Sequence, residues 1–266
     1  MGALFLVSSG IIIIIIPMTD AAFAATIRGN NRDNVLKETD RRDTIHGRGG
    51  HDTIYGYRGN DVLYGGRGDD RIWSGAHDDK IYAWHGSNVV TGGGGNDRIW
   101  ATGSGEGGDD DYNILRGHDG NDRFIVRNSG FTIKGGPGND NIDAAGDLGG
   151  GGPGGTYIYA DAGNDYVRSA DMVNGGVVKI DGGPGRDRLI ATGEVSFDIF
   201  GLDGDDWLHI STFDESFAYG GASNDYVLST FVGELYGHEG DDVLESRGDL
   251  ATNQMRGERT WIQDCL

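Results

Sequence analysis

The sequence predicts an all-β fold in which the chain winds as a parallel β-solenoid, a β-roll or β-helix, with about 18 residues per coil. Two observations support this prediction. Glycine accounts for 50 of the 266 residues, yet aliphatic and aromatic residues stand at regular places between the glycines. A nine-residue pattern also recurs along most of the chain. Glycine does not recur at every third position, so the composition is not that of collagen.

The stretch GYRGNDVLYGGRGDDRIW, residues 56–73, holds two copies of the pattern. Each copy opens on Gly, has a second Gly at its fourth position and Asp at its sixth, and places a large aliphatic residue two positions after the Asp. Fourteen Asp residues align in this way: Asp33, Asp43, Asp52, Asp61, Asp70, Asp79, Asp97, Asp122, Asp140, Asp165, Asp187, Asp206, Asp225 and Asp242. The residue two positions later is large and apolar in every case: Val35, Ile45, Ile54, Leu63, Ile72, Ile81, Ile99, Phe124, Ile142, Val167, Leu189, Leu208, Val227 and Leu244.

Each copy of the pattern predicts a turn followed by a short strand. The residues that flank the apolar one are mostly polar or aromatic, and this out-in-out order is typical of a strand with one inward side chain. The Gly-rich hexamer before it is a turn, because glycine adopts positive φ without steric cost. Two such units make one coil of the solenoid.

Charge and cysteine content narrow the class of protein. The formal net charge is −20, from 42 acidic and 22 basic residues, so nucleic acid is excluded as a partner and cations are favoured. The single cysteine, Cys265, allows no internal disulfide, so a secreted form of this chain needs another means of stabilisation. The sequence contains no HExxH zinc motif, no GxSxG elbow and no P-loop, so no enzyme class is indicated.

The pattern is similar to the Gly-Gly-x-Gly-x-Asp-x-apolar-x nonapeptide of the RTX (repeats-in-toxin, hemolysin-type) calcium-binding family, from about residue 29 to residue 245. The segments GGRGDDRIW (65–73), GGGGNDRIW (92–100), GGPGNDNID (135–143) and GGPGRDRLI (182–190) fit it almost throughout. The resemblance implies that several Ca²⁺ ions are bound by the sixth-position Asp and by backbone carbonyls near the first and third positions of neighbouring turns.

The resemblance points to two groups of metal-binding residues. The carboxylate ligands are Asp43, Asp52, Asp61, Asp70, Asp79, Asp97, Asp122, Asp140, Asp165, Asp187, Asp206, Asp225 and Asp242. The turn glycines are Gly47, Gly49, Gly56, Gly65, Gly68, Gly92, Gly94, Gly117, Gly135, Gly138, Gly182, Gly185, Gly201, Gly204, Gly220, Gly237 and Gly240.

Calcium also follows from the chemistry of the repeat. Ca²⁺ takes six to eight oxygen ligands, and a tight turn directs several carbonyls toward one point where the Asp adds a charge. The alternative is a metal-free solenoid in which stacked Asp and Asn side chains form hydrogen-bonded ladders. Stacked carboxylates about 5 Å apart repel one another, and few basic residues lie in the turns, which favours a cation. With a thin core and many like charges, we expect calcium to switch folding on.

The spacing predicts an unequal distribution of calcium turns. One row, from Asp43 to Asp242, recurs at every coil, with longer steps at insertions around residues 103–111, 149–155 and 171–176. The other row begins at Asp33, Asp52 and Asp70 and then reaches Asn88. The predicted solenoid over residues 26–250 therefore has calcium turns on both sides to about residue 80 and on one side afterwards. Plain β-turns, such as those around GEVSF and FDESF, close the other side.

The two ends of the chain have separate predictions. Residues 1–25 are predicted to be a signal peptide, because an apolar run is followed by Pro17 and the small-residue pattern Ala22-Phe23-Ala24. An uncleaved anchor is the alternative, since no Lys or Arg precedes the apolar run. Residues 251–266 are predicted to be a C-terminal tail or cap. We expect the protein to be secreted and to have no stable membrane span in its mature form.

Two further predictions concern the outer faces and the role of the protein. Tyr64, Tyr82 and Trp100 are 18 residues apart and are expected to stack on one face, with Tyr55 and Trp73 stacked on the opposite one. Such ladders stabilise a sheet by themselves, and an extracellular glycan or cell surface is the alternative partner. The predicted function is calcium binding with a structural or adhesive role and no catalysis. The alternative is a carbohydrate-active β-helix enzyme, a polysaccharide lyase or epimerase, or its calcium-binding accessory module.

Overall fold

The computed structural model describes the chain at residues 4–8, 11–15, 24–103, 111–128, 130–147, 156–173, 176–231, 233–247, 254–256 and 259–264. The secondary structure within these ranges is β-strand, assembled into two sheets of 14 and 13 strands. No helix in the described ranges is long and apolar enough to cross a lipid bilayer.

The first sheet is built from the even-numbered strands together with β1. These strands are β1 (Leu4–Ser8), β2 (Ile11–Ile15), β4 (Asn34–Lys37), β6 (Thr53–Tyr55), β8 (Arg71–Ala76), β10 (Val89–Gly94), β12 (Tyr112–Asp119), β14 (Gly130–Pro137), β16 (Thr156–Ala162), β18 (Val178–Pro184), β20 (Phe197–Asp203), β22 (Phe217–Ala222), β24 (Glu234–Glu239) and β26 (Gln254–Arg256).

The second sheet is built from the remaining odd-numbered strands. These are β3 (Thr26–Arg28), β5 (Thr44–Gly49), β7 (Val62–Arg67), β9 (Lys80–Ala83), β11 (Arg98–Thr102), β13 (Arg123–Arg127), β15 (Asn141–Asp147), β17 (Tyr166–Val173), β19 (Arg188–Gly193), β21 (Trp207–Thr212), β23 (Tyr226–Ser229), β25 (Asp241–Ser246) and β27 (Arg259–Asp264).

Each coil adds one strand to each sheet, so strands two apart in the chain are hydrogen-bonded neighbours and run parallel. In the early coils the partner residue is 18 positions away, as in Ile45↔Leu63 of the second sheet and Ile54↔Ile72 of the first. The step lengthens to 25 residues between Asp97 and Asp122, next to the first predicted insertion. The predicted parallel β-solenoid is confirmed. Residues 104–110, 148–155 and 174–175 of the insertions lie outside the described residues.

The core is narrow: most half-coils bury one large apolar side chain, and several later ones bury a second, such as Val126 beside Phe124 and Ile210 beside Leu208. Thirteen of the 14 predicted inward residues, from Ile45 to Leu244, are at most 1% exposed. Burial of each contributes about 1.5–3 kcal/mol, and the pleat leaves the residues on either side of it outward. The first predicted inward residue, Val35, is an exception and is only half-buried.

The correction at Val35 is a shift of one residue. Leu36 is fully buried and pairs with Ile54, so the sixth position of this first turn is Asn34 and not Asp33. Both Asp33-x-Val35 and Asn34-x-Leu36 satisfy the sequence pattern. The structure selects the second because the Asn34 amide donates a hydrogen bond to Asp52 Oδ1 of the next coil (2.8 Å).

Strands also occur where the ends of the chain were predicted to lie outside the solenoid. Strand β1 pairs antiparallel with β2, and β2 pairs parallel with β4 at the edge of the first sheet. At the other end β26 continues the first sheet and β27 continues the second. The signal peptide over residues 1–25 and the tail over residues 251–266 stay predictions.

Candidate metal-binding turns

The turns between strands hold the first six positions of the nonapeptide in one repeated backbone shape. Positions 2 and 4 have positive φ, as at Gly66 (+116°) and Gly68 (+113°). Arg48 and Leu202 occupy position 2 at φ of +83° and +81°, so the turn imposes this conformation on residues other than glycine as well. Position 4 likewise holds Ser223 at φ of +89°, although at Gly138 an added Cβ would collide with the Gly120 carbonyl of the preceding coil.

The sixth-position Asp side chains connect successive coils. One carboxylate oxygen, Oδ1, accepts a hydrogen bond from the backbone amide of the sixth residue in the preceding coil, at 2.6–3.0 Å. On the side of the solenoid where Asp recurs at every coil, the acceptors are Asp61, Asp79, Asp97, Asp122, Asp140, Asp165, Asp187, Asp206, Asp225 and Asp242. These bonds fix every carboxylate at the same place in its turn.

The second carboxylate oxygen, Oδ2, is buried and has no hydrogen-bond donor. This holds for Asp52, Asp61, Asp70, Asp79, Asp97, Asp122, Asp140, Asp165, Asp187, Asp206, Asp225 and Asp242. Leaving one buried polar atom unsatisfied costs about 1–3 kcal/mol, and more when the group is charged. A row of such atoms therefore requires a positive partner or protonation.

Burial changes the acid–base chemistry of these carboxylates. Removal from water raises the pKa of Asp97 from 3.8 to about 7 and that of Asp122 to about 8, although the backbone hydrogen bond to each opposes the shift. The charges of neighbouring Asp residues in the row raise both pKa values further. The pKa is raised for every other Asp with an unpaired Oδ2 as well, again first of all by burial.

The position-1 glycines complete the shape of each turn. A Cβ on Gly135 would lie within 2.5 Å of both Asp140 Oδ2 and the Ala160 carbonyl of the next coil. The predicted glycines at this position are Gly47, Gly56, Gly65, Gly92, Gly117, Gly135, Gly182, Gly201, Gly220 and Gly237. Position 4 holds Gly68, Gly138, Gly185, Gly204 and Gly240, and position 3 holds Gly49 and Gly94. The first-position residue therefore brings an Asp oxygen and a carbonyl oxygen together.

These turns fit a calcium ion better than a metal-free ladder. The ladder exists, but it uses only Oδ1 and leaves Oδ2 without a partner. No group of three acidic or histidine side chains within the described ranges is placed to hold a metal. A cation here must therefore take backbone carbonyls together with the Asp oxygens, which is a ligand set that calcium accepts.

The two sides of the solenoid differ in their sixth-position residues. We call the residues that run from Asp43 to Asp242 in steps of one coil the long row; all 11 are Asp and all are at most 3% exposed. The short row, on the other side, is Asn34, Asp52, Asp70, Asn88, Asn113, Phe131, Thr156, Val178, Phe197 and Ser216. Carboxylates thus disappear from the short row after Asp70.

The turn that leads to Asp43 departs from the others. Both Asp43 oxygens accept hydrogen bonds, Oδ1 from the Ala25 amide and Oδ2 from the Thr39 amide (3.2 Å) and hydroxyl (2.6 Å). Position 1 of this turn is Glu38, which is 5% exposed. Burial, followed by the charges of Asp61 and Asp43, raises the Glu38 pKa to about 10. Glu38 is not among the predicted ligands, and its only signal in the sequence is an acidic residue at a position otherwise held by small residues.

A second ladder on the rim of the long row was also missed. At the fifth position the side-chain oxygens of Asn96, Asn121 and Asn139 each accept a hydrogen bond from the fifth-position amide of the following coil, at 2.6–2.8 Å. The donor belongs to the following coil here and to the preceding coil in the Asp ladder. The two ladders together fix successive turns in both directions. The recurring dipeptide Asn-Asp was the available signal.

The aromatic ladders are confirmed. Tyr64, Tyr82 and Trp100 stack on the second sheet, with ring centroids 4.8 and 4.5 Å apart and planes within 9° of parallel. Tyr55 and Trp73 stack on the first sheet at 5.1 Å. Because each ring covers the face of its neighbour, the ladders stabilise the sheets by contact between their own members.

One column of basic residues was not recognised in the sequence. Lys80, Arg98 and Arg123 are direct neighbours on β9, β11 and β13, although 18 and 25 residues separate them in the chain. They line a cleft of about 480 Å³ together with amide and acidic side chains, among them Asn96, Asn121, Asp78, Asp79, Asp97 and Asp122. No carboxylate in the described part of the chain forms an ion pair with any of the three.

The fold and these turns define a class of protein: parallel β-solenoids whose glycine turns place one carboxylate and several carbonyls between coils. The family model of the RTX calcium-binding nonapeptide repeat (4 copies) matches residues 39–72, 57–89, 64–99, 86–103 and 132–147. These residues therefore match the RTX calcium-binding nonapeptide repeat. Neither the curated proteins nor the solved structures gave a match.

Proposed function

We propose that the protein binds several Ca²⁺ ions in its RTX turns and that calcium drives the folding of the solenoid outside the cell. The observation that carries this proposal is the row of buried Asp Oδ2 atoms without a donor, repeated at one place in each coil from Asp61 to Asp242. The ligands are these carboxylates, together with those of Asp52 and Asp70, and the backbone carbonyls of the glycine turns.

The geometry favours calcium over magnesium. Backbone carbonyls arranged by a tight turn suit the flexible coordination of Ca²⁺ by six to eight oxygens, whereas Mg²⁺ requires a near-ideal octahedron and retains much of its water. Equivalent turns lie one strand spacing apart, about 4.8 Å, so an ion can take oxygens from two coils. Binding then joins coils that the thin core holds weakly.

The same ions explain how a chain with a net charge of −20 folds without disulfides. In the absence of calcium, the buried carboxylates repel one another, and apolar burial in the narrow core does not offset this repulsion together with the loss of chain entropy. A site filled to ten times its dissociation constant contributes about 1.4 kcal/mol, so roughly six to ten sites supply about 10 kcal/mol. Extracellular calcium modules bind at about 10⁻⁴–10⁻³ M, which leaves the chain unfolded in the cytosol and folded after secretion.

A calcium titration tests the proposal. Far-ultraviolet circular dichroism is recorded in chelator and then at rising calcium, and the number of bound ions is measured by equilibrium dialysis at saturation. We expect a disordered spectrum in chelator, a β spectrum at millimolar calcium and several bound ions. Magnesium at the same concentrations is the matched control and is expected to leave the spectrum disordered. A full β spectrum in chelator, together with no bound calcium, contradicts the proposal.

The outer surface supports a structural or adhesive role toward an anionic glycan or cell surface. Lys80, Arg98 and Arg123 form a column that has no ion-pair partner among the described residues and lies beside amide groups that suit sugar hydroxyls. The acidic side chains of Asp78, Asp79, Asp97 and Asp122 line the same cleft, and the proposed calcium ions offset the charge of the last three. Adjacent like charges on a sheet destabilise it, and an anionic ligand relieves that repulsion. The faces of the aromatic ladder are covered by one another, so the basic column is the better contact for a glycan.

Replacement of three basic side chains by glutamine tests this role. The variant K80Q/R98Q/R123Q is compared with R127Q/R168Q/K179Q, which removes the same charge from residues that are paired with Asp143 or Asp198. Retention on immobilised polygalacturonate and on a neutral glucan is measured in millimolar calcium. Loss of retention in the first variant only is expected, and equal retention of both variants contradicts the role. To test the alternative of a lyase, the wild type is incubated with each polysaccharide and assayed for reducing ends and unsaturated products. The absence of product decides against a lyase.

A further inference from the structure

The first turn of the long row contains a different carboxylate from the rest. Its position 1 is Glu38, whereas later turns of the long row have Gly at this position, with Ser74 and Ala160 as the exceptions. The sixth-position Asp43 has no free oxygen, because Thr39 and the Ala25 amide occupy both. By the ligand pattern of the other turns, this turn therefore contributes no Asp oxygen to a cation.

Glu38 provides carboxylate oxygens without a hydrogen-bond donor, which Asp43 lacks. Its side chain is 5% exposed, and neither Oε1 nor Oε2 has a hydrogen-bond donor. In the equivalent turns a Cβ at position 1 points at the position-1 carbonyl of the next coil, as from Gly117 toward Gly135. The same direction carries the Glu38 side chain from its own turn toward Gly56 and Asp61.

The neighbouring turn, which holds Asp61, differs in shape from the other turns of the long row. Asp61 Oδ2 lies 3.1 Å from a Cβ built on Gly56, whereas in other position-1 glycines of the long row, such as Gly135 and Gly182, the corresponding separation is no more than 2.5 Å. Asp61 exerts the largest charge effect on Glu38, followed by Asp43, and both carboxyl groups are within side-chain hydrogen-bonding reach of Glu38. The two buried Glu38 oxygens and the buried Asp61 Oδ2, none of which has a donor, thus belong to side chains that lie close together, with Asp43 also beside Glu38.

We propose that Glu38 and Asp61 form the carboxylate pair of a calcium site at the N-terminal end of the long row, with Glu38 as ligand in place of Asp43. The site takes the remaining oxygens from backbone carbonyls of the two turns, because two carboxylates alone do not complete a calcium shell. Asp43 acts as a positioning residue that anchors Thr39 and the start of β3. This inference rests on the proposed calcium function and assigns one site within it.

Calcium counting with three variants tests the assignment. E38Q keeps the size of the side chain and removes its charge, D43N removes the charge that the sequence pattern assigns to this site, and D40N alters an exposed carboxylate of the same turn. Bound calcium is counted by equilibrium dialysis at saturation, and hydrogen exchange is followed at residues 38–43 with and without calcium. We expect E38Q to bind one ion fewer than the wild type and to lose calcium-dependent protection in that segment, whereas D43N and D40N keep the wild-type count.

The other outcomes overturn the inference in separate ways. An unchanged count and unchanged protection in E38Q show that Glu38 only fills space, and loss of one ion in D43N returns the site to the sequence pattern. Protection at residues 38–43 is compared with protection at residues 201–206, so a general failure of E38Q to fold is recognised by loss in both segments and contradicts a local role. A wild type that binds no calcium refutes the proposed function itself, which is a different result.

Discussion

The two sides of the solenoid use the same turn positions with different chemistry. The long row has Asp at every sixth position, and ten of these residues keep a buried oxygen without a donor. The short row has Asp only at Asp52 and Asp70, continues with Asn88 and Asn113, and then becomes apolar at Phe131, Val178 and Phe197, which are at most 1% exposed.

The difference shows that coil stacking and ion binding are separable. Asn88 accepts the same backbone hydrogen bond from Asp70 (2.9 Å) that an Asp accepts elsewhere, so the ladder does not need a carboxylate. A phenylalanine at the same place stabilises the coil by burial alone. The second carboxylate oxygen of the long row has no role in the ladder, which is why we attribute it to calcium.

The largest expected effect is a pH dependence of folding in the calcium-free protein, caused by the Asp residues of the long row. Burial raises the pKa of most long-row Asp residues from 3.8 to about 7, as for Asp140 and Asp187, so without calcium the folded state prefers protonated carboxyls. A folded-state pKa above the unfolded one contributes stability that is complete below the unfolded pKa and is lost as pH rises through the folded pKa. The calcium-free protein is therefore expected to gain β structure between pH 8 and pH 5, as followed by circular dichroism in chelator.

The control for this pH effect is the calcium-loaded protein. Saturating calcium holds the carboxylates charged, so its β signal is expected to stay constant from pH 8 down to the pH at which protons displace the metal. A chelated protein whose spectrum does not change between pH 8 and pH 5 would show that the long-row carboxyls do not oppose folding.

Substitution within the long row gives the next effect. D122N/D140N/D165N keeps the ladder acceptor, as native Asn88 and Asn113 do, and removes three carboxylates. At ten times the dissociation constant the loss of three sites costs about 4 kcal/mol of calcium-dependent stability. Thermal unfolding in calcium and in chelator measures the difference. The matched control is D198A/D214A/D119N, which changes carboxylates off the row; an equal loss in both triples would mean that the register is misassigned.

A smaller effect compares two glycines of the long-row turns. Gly138 has φ of +142° and faces a carbonyl of the preceding coil, so G138A is expected to cost about 1–3 kcal/mol. Gly94 has open space where a Cβ would be, so G94A is expected to change stability by less than about 0.5 kcal/mol. Urea unfolding in saturating calcium measures both. Similar values for the two variants would show that the turn backbone relaxes readily.

The smallest effect tests the outer face of the second sheet. Tyr82 stacks between Tyr64 and Trp100, and Y82L is expected to lower stability by about 1 kcal/mol without a change in the number of bound calcium ions. Unfolding and equilibrium dialysis on the same samples separate the two quantities. A loss of glycan retention with unchanged stability would assign the ladder a binding role instead.

The sequence by itself determined the solenoid, the inward file and the long row of Asp. A repeat that advances by one coil places equivalent residues in stacked positions. The regular spacing of Asp43, Asp61 and Asp79 therefore already predicts that these residues are neighbours in the structure. The end of the second carboxylate row at Asp70 was visible for the same reason, because the spacing leads directly to Asn88.

Only the tertiary structure shows which side-chain oxygens of these residues lack a hydrogen-bond donor and which residues are neighbours. Only stacked coils show that Oδ1 is used by the ladder and Oδ2 is not, that Asn34 displaces Asp33 from the row, and that Glu38 lies beside Asp61. The column of Lys80, Arg98 and Arg123 directly follows the aligned Asp79, Asp97 and Asp122, but only the structure shows that no described carboxylate forms an ion pair with it. The physical reason is common to all of these cases: each depends on hydrogen bonds and side-chain contacts between coils, and their partners are set by how coils of unequal length stack.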